Sequence, residues 1–126
     1  MCIRDRLQLA QLAAEVAPRL PIICAHLGGG LAFYELMPEV RALTANVYYD
    51  TSATAFLYDP AALTHAVQIA PGRVLFGSDY PVIGMRRMVD FARAADLRDD
   101  ARTDLLGGSA ERLFGLVSRR DAVTIP

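Results

Sequence analysis

Three short apolar segments, each followed by a polar or glycine-rich turn, limit the folds open to this chain more than any other feature of its sequence. The segments are Pro21–His26, Asn46–Asp50 and Val74–Gly77, and helical patterns lie between them. Short apolar runs bounded by turn residues are typical of buried parallel strands. Intervals that leave room for one helix fit repeated βα units. We therefore predict an α/β fold whose three parallel strands lie in sequential order.

The third segment indicates where a functional site would lie in such a fold. It runs directly into Ser78 and Asp79, and Pro81 ends any strand pairing there. Right-handed crossovers place the carboxyl ends of all three strands on one rim, where ligands and catalytic groups collect in α/β proteins. The first segment brings His26 to the same rim. Capping or packing roles are the structural alternatives for His26 and Asp79.

Strand alternation refines this expectation. Counting by twos puts His26 on the face of Cys24, and Asp79 on the face of Leu75. If both faces point inward, the two side chains converge within about 10 Å, two strand spacings of about 4.8 Å each. We interpret Asp50 as a rim or turn residue rather than a catalytic one, together with its neighbours Thr51 and Ser52.

Composition excludes several classes of function. Hydrophobic residues make up 53% of the 126 residues, which is ample for a core. The net charge is −1 and no basic patch is present, so nucleic acid and anionic membranes are not expected partners. All 13 basic residues are arginine, which excludes a P-loop or Schiff-base lysine from this sequence. The glycine triplet Gly28–Gly30 lacks the G-x-G-x-x-G order, so no organic cofactor site is assigned.

Cysteine usage and hydropathy favour a cytoplasmic setting. The two cysteines, Cys2 and Cys24, are too few for a disulfide framework, and Cys24 behaves as a small hydrophobe within its strand. No secretory signal or long apolar run is evident.

The chain divides into three parts. Residues 1–6 carry charge without a period and are interpreted as a non-native leader. Residues 7–117 form the domain, beginning with a helix at Leu7, and residues 118–126 are expected to be a loose tail.

Three motifs together resemble the amidohydrolase-related family of metal-dependent hydrolases, which includes amino-carboxymuconate-semialdehyde decarboxylase. They are Ala25-His26-Leu27-Gly28-Gly29, Val47-Tyr48-Tyr49-Asp50-Thr51-Ser52 and Val74-Leu75-Phe76-Gly77-Ser78-Asp79-Tyr80-Pro81. Gly107-Gly108-Ser109-Ala110-Glu111-Arg112-Leu113-Phe114 is similar to the closing helix of that family. The resemblance covers Pro21 to Leu116.

The resemblance implies a C-terminal fragment of a (β/α)8 TIM-type barrel, comprising about strands six to eight with their helices on one face. It places a metal-ligating and proton-handling aspartate at Asp79, and a histidine close to the metal, acting as acid or base, at His26. It also implies a divalent metal, zinc ahead of manganese, with an incomplete ligand set, because the family's His-x-His pair and fifth-strand histidine are absent from this sequence.

The implied function is metal-dependent hydrolysis or non-oxidative decarboxylation of a small carboxylate, lactone or amide by the parent protein, with the isolated fragment inactive. The expected partner is a small-molecule substrate, with no nucleic acid or membrane, and the parent is a candidate homo-oligomer. The alternative is a self-contained α/β module that binds a small molecule or nucleotide without catalysis.

Overall fold

The computed structural model describes residues 3–17 and 19–116. Its centre is a parallel sheet of three strands, β1 (Ile22–Cys24), β2 (Val47–Asp50) and β3 (Val74–Leu75), in the order β1-β2-β3. Both pairings are parallel, with Cys24 opposite Tyr49 and Tyr49 opposite Val74. The predicted α/β class and sequential strand order are confirmed. All three strands are shorter than predicted, and the first ends at Cys24 rather than His26.

Helices account for most of the remaining chain. A segment at Ala25–Gly29 follows β1 directly, and its left-handed conformation is described below. The other helical segments are Ile3–Val16, Leu31–Tyr34, Pro38–Leu43, Thr54–Leu57, Ala61–Ile69, Met85–Ala94, Asp99–Thr103, a π-helical turn at Asp104–Gly108, and Ser109–Phe114. Within the described part of the chain, no helix is long and apolar enough to cross a membrane.

One face of the sheet packs against the helices. Val47 and Tyr49 are completely buried and Cys24 nearly so, in a core completed by apolar helix residues that include Ala10, Ala13, Leu31, Leu63, Ala66, Ala92 and Leu105. The opposite face is more open at β1 and β2, where Ile23 is 43% exposed and Tyr48 is half-buried, whereas Leu75 of β3 is buried there. The expectation of helices on one side only stays a prediction.

The first helix begins earlier than predicted. It covers Ile3–Val16 rather than beginning at Leu7. Arg6 donates two hydrogen bonds to the backbone oxygen of Gly29, at 2.9 and 2.5 Å, and its guanidinium lies 5.5 Å from the centre of the Tyr34 ring. The interpretation of residues 1–6 as a non-native leader stays a prediction. The predicted tail at 118–126 lies outside the described residues.

Candidate functional site

Polar contacts tie together the carboxyl ends of the three strands. The Thr51 hydroxyl donates to the Gly77 backbone oxygen and accepts from the Gly77 N–H, both at 3.0 Å. A β-carbon placed on Gly77 would lie 3.8 Å from that of Ser52 and 3.9 Å from that of Asp50. Across the sheet, the His26 N–H donates to Asp50 Oδ1 at 3.1 Å. The segments after β1 and β3 therefore both contact the end of β2.

His26 opens a left-handed turn. Five consecutive residues, His26 to Gly30, have positive φ, with 57° at His26 and 55° at Leu27. Such a conformation disfavours each non-glycine residue by roughly 1–2 kcal/mol, so the surrounding contacts must fix it. Gly28 allows the turn to approach the sheet, because a β-carbon there would lie 2.9 Å from Leu31 Cβ and 3.2 Å from the Tyr49 ring.

Only one of the two ring nitrogens of His26, Nδ1, has hydrogen-bond partners in the described part of the chain. Its Nδ1 lies 2.7 Å from the backbone oxygen of Ser52 and 3.3 Å from the Ser52 hydroxyl oxygen. The ring is half-buried. Among the described residues, Nε2 has no hydrogen-bond partner. The unbound nitrogen is therefore the one available to a ligand or a proton.

Asp79 lies in the loop that follows β3. Its φ is 67°, and its backbone oxygen accepts hydrogen bonds from Val82 at 2.7 Å and Ile83 at 3.3 Å. Ser78 beside it is buried, and its hydroxyl accepts the Tyr80 N–H at 3.2 Å. The Asp79 residue is exposed. Within the described chain its carboxylate has no hydrogen bond or ion pair, so a simple capping role for this side chain is not observed.

The alternation argument for convergence of His26 and Asp79 is wrong. The register places Cys24, Tyr49 and Val74 on one face of the sheet. Leu75 therefore lies on the opposite face from Cys24. Moreover, the strands end before the two candidate residues, so a period of two does not extend to either side chain. Their shared site stays a prediction that depends on the loops after the strands.

A buried ionic network lies near the amino ends of β2 and β3, and sequence reasoning missed it. The fully buried Glu35 carboxylate accepts hydrogen bonds from Thr44 at 2.8 Å and from Tyr49 at 2.6 Å. It also binds both terminal nitrogens of Arg73, whose Nη1 additionally donates to the backbone oxygens of Thr44 and Val47. Burial lowers the pKa of Arg73, but hydrogen bonding and charge from Glu35 outweigh it and raise the pKa. Burial and Glu35 also raise the pKa of Tyr49.

Cys24 is a reduced core residue, as its position in a strand predicted. Burial raises the pKa of its thiol, and the nearby charge of Asp50 raises it further. A protonated, buried thiol is a poor nucleophile and a poor metal ligand.

The donor set suits a divalent metal in kind but is incomplete in number. His26 Nε2 and the Asp79 carboxylate are nitrogen and oxygen donors of the types that bind zinc and manganese. Catalytic zinc sites have three protein ligands and a water. Across residues 3–17 and 19–116, no group of three or more histidine, cysteine, aspartate or glutamate side chains is arranged to hold a metal ion.

Sequence comparison finds a family match over nearly the whole described chain. Residues 4–116 match the family described as amidohydrolase. The chain is 30% identical to the 6-methylsalicylic acid decarboxylase of Penicillium expansum over 115 residues, covering 77% of this chain and 35% of that protein. It is 29% identical to the 6-methylsalicylic acid decarboxylase of Aspergillus aculeatus, and the match covers 83% of this chain and 38% of that protein. The chain thus spans little more than a third of the length of these relatives.

Structural comparison finds the same type of neighbour. The 5-carboxyvanillate decarboxylase of Sphingomonas paucimobilis superposes with a TM-score of 0.73 at 22% identity, covering 90% of this chain and 39% of that one. The dihydroxybenzoic acid decarboxylase of Polaromonas superposes with a TM-score of 0.74 at 20% identity, covering 96% of this chain and 42% of that one. Its structure was solved with manganese and the inhibitor 2-nitroresorcinol. At these identities the likeness shows a shared fold.

Proposed function

The chain belongs to the amidohydrolase family, and on that premise we propose that it forms about strands six to eight of a (β/α)8 barrel in a longer metal-dependent enzyme. Two features support this proposal. Its three parallel strands lie in sequential order, as neighbouring strands of such a barrel do. Its sheet is covered by helices on one face, while Ile23 on the other face is 43% exposed. In a complete barrel that second face would be covered by the side chains of the other strands.

The reaction that we propose is non-oxidative decarboxylation of a small aromatic carboxylate. The observation that carries it is the match at 30% and 29% identity to two 6-methylsalicylic acid decarboxylases. In this reaction the bond between the ring carbon and the carboxylate carbon breaks, carbon dioxide leaves, and the ring carbon gains a proton. Hydrolysis of a lactone or amide is the second candidate, because the matched family is described as amidohydrolase.

His26 and Asp79 have distinct proposed roles. The carboxylate of Asp79 is exposed and without a partner in the described chain, which suits a metal ligand. His26 Nε2 can either bind a metal or carry a proton, but not both at once. Because the decarboxylated carbon needs a proton, we assign His26 primarily to proton transfer, with metal contact as its alternative. A divalent metal, manganese or zinc, would polarise the substrate when bound.

The test uses the full-length parent protein. Carbon dioxide release from 6-methylsalicylate, 2,6-dihydroxybenzoate and 5-carboxyvanillate is measured before and after metal removal, together with hydrolysis of simple lactones. We expect decarboxylation that depends on the metal. We expect His26→Gln to lower kcat by at least about 100-fold, because a group that transfers a proton is lost. We expect Asp79→Asn to lower activity by at least about 10-fold, because a neutral amide replaces a charged metal ligand.

Two matched variants serve as controls. His65→Gln and Asp59→Asn make the same chemical changes at exposed positions, His65 on the helix at Ala61–Ile69 and Asp59 just before it, so both should retain activity. Hydrolysis without decarboxylation would replace the proposed reaction with the second candidate. Full activity of both site variants would exclude His26 and Asp79 from the active site.

A further inference from the structure

Asp50 gathers three hydrogen-bond donors on a single carboxylate oxygen. Its Oδ1 accepts the His26 N–H at 3.1 Å, the Ser52 N–H at 2.8 Å and the Ser52 hydroxyl. The bond to Ser52 N–H, two residues along, is the pattern of an Asx turn. The bond to His26 crosses from β2 to the start of the left-handed turn. Asp50 therefore fixes both backbone segments that define the position of the imidazole.

The direction of these bonds determines which nitrogen of His26 carries the proton. A serine hydroxyl has one hydrogen, and that of Ser52 is donated to Asp50. Toward His26 Nδ1, 3.3 Å away, the Ser52 hydroxyl can therefore act only as an acceptor. The Ser52 backbone oxygen, 2.7 Å from Nδ1, is an acceptor in any case. Two acceptors facing Nδ1 require that this nitrogen carry the hydrogen.

We propose that Asp50 is a positioning residue, which holds His26 in the Nδ1–H tautomer by orienting the hydroxyl of Ser52. In the neutral ring Nε2 is then unprotonated and available. The prediction of the tautomer depends only on contacts within this chain. Its consequence for catalysis rests on the role of His26 proposed above.

Removing the carboxylate should reverse the orientation of Ser52. In Asp50→Ala the Ser52 hydroxyl loses its acceptor, so it becomes free to donate to His26 Nδ1. That donation favours the Nε2–H tautomer in competition with the Ser52 backbone oxygen. Because a hydrogen bond to a charged group is strong enough to change an equilibrium about tenfold, we expect a change of about tenfold in the tautomer ratio. The double variant Asp50→Ala/Ser52→Ala lacks the competing hydroxyl and should return toward the Nδ1–H form.

Long-range proton–nitrogen NMR of the 126-residue chain measures the tautomer directly. The chain has two histidines, so His65, which is exposed, is an internal reference in each spectrum. Spectra are recorded at about pH 8.5, two units above the ordinary pKa of a histidine side chain. In the wild-type spectrum we expect a single Nδ1–H tautomer for His26 and a mixture of both tautomers in fast exchange for His65. The control is Asp59→Ala, which removes an aspartate that caps the Ala61 N–H at 2.9 Å, and it should leave the His26 pattern unchanged.

Each result decides the proposal. An averaged or Nε2–H His26 in the wild-type chain overturns it, as does an Asp50→Ala variant that folds and keeps the wild-type tautomer. If Asp50→Ala does not fold, Asp50→Asn keeps the shape with a weaker acceptor, and a smaller shift in the same direction is expected; no shift overturns the proposal. A parent protein without decarboxylase activity would refute the proposed function while leaving this tautomer result in force.

Discussion

The replacement of Glu35 by glutamine tests whether the buried network stabilises the sheet near the amino ends of β2 and β3. Glu35 is completely buried, and its carboxylate is the common acceptor for Thr44, Tyr49 and Arg73. Glutamine keeps the size and one acceptor oxygen but removes the charge. Its amide group would also place a donor against the guanidinium of Arg73. The variant therefore removes the ion pair while keeping the size of the side chain.

The expected loss follows from the burial of the two partners. The Arg73 side chain is 18% exposed and the Glu35 side chain 0%. Removing one partner of a buried ion pair destabilises a protein by about 3–5 kcal/mol, because the other charge stays buried without compensation. The slight exposure of Arg73 favours the lower end, about 3 kcal/mol. Since domains are stable by only about 5–15 kcal/mol in total, this loss is large.

Urea denaturation followed by circular dichroism measures the effect. With a slope of about 1–3 kcal/mol per molar for a small protein, Glu35→Gln should lower the midpoint by about 1–3 M. Asp100→Asn is the matched control. Asp100 pairs with Arg98 at 2.9 Å, but these side chains are 69% and 85% exposed, so its loss should change stability by at most about 1 kcal/mol.

A double-mutant cycle identifies the partner. If Arg73 is the charge left unpaired, Arg73→Met in the Glu35→Gln background should restore part of the lost stability, with a coupling of about 1–3 kcal/mol. A Glu35→Gln variant no less stable than Asp100→Asn would refute the reasoning. So would strict additivity of the two changes.

Three further predictions concern single positions. In urea denaturation, Gly28→Ala should lower the free energy of unfolding by about 2–4 kcal/mol, because the added β-carbon would be strained at a left-handed φ and would crowd Leu31 and Tyr49. Gly84→Ala is the control: no atom lies within 4 Å of the added β-carbon, so the free energy of unfolding should change by less than about 1 kcal/mol. Because the folded-state pKa of Cys24 is raised, stability should fall as pH rises above about 9, and Cys24→Ala should make that fall shallower; an unchanged slope would contradict this. Thr51→Val should speed hydrogen exchange of the Gly77 amide about tenfold, and unchanged exchange would contradict the observed bond.

The features predicted correctly from the sequence are local ones. An apolar strand followed by a turn is encoded within a few residues, and the spacing of such units sets the sequential parallel order. Asp79 was placed in the loop after the third strand for the same reason, whereas His26 was predicted to close the first strand and lies in the turn after it. Cys24 was recognised as a core residue because it lies within an apolar run.

The features that were missed depend on contacts between distant parts of the chain. Nothing near Glu35 indicates that it would pair with Arg73, 38 residues away. Alternation failed for His26 because β1 ends at Cys24 and a left-handed turn follows. Asp50 was interpreted as a rim or turn residue, and its bond to the Ser52 N–H fits a turn, but its contact with His26 was not foreseen. Its bond to His26 depends on strand pairing, which the local pattern does not encode.

The central claim, that His26 and Asp79 belong to one metal site, is tested most directly by paramagnetic broadening. Manganese is titrated into the isotope-labelled 126-residue chain, where even weak binding broadens NMR signals of nearby nuclei. The account predicts that the His26 ring and the Asp79 amide broaden together at the lowest manganese concentrations, while His65 stays sharp, and that Asp79→Asn removes the broadening at His26. Broadening of Asp79 without His26, or of His26 unchanged in Asp79→Asn, would contradict a shared site.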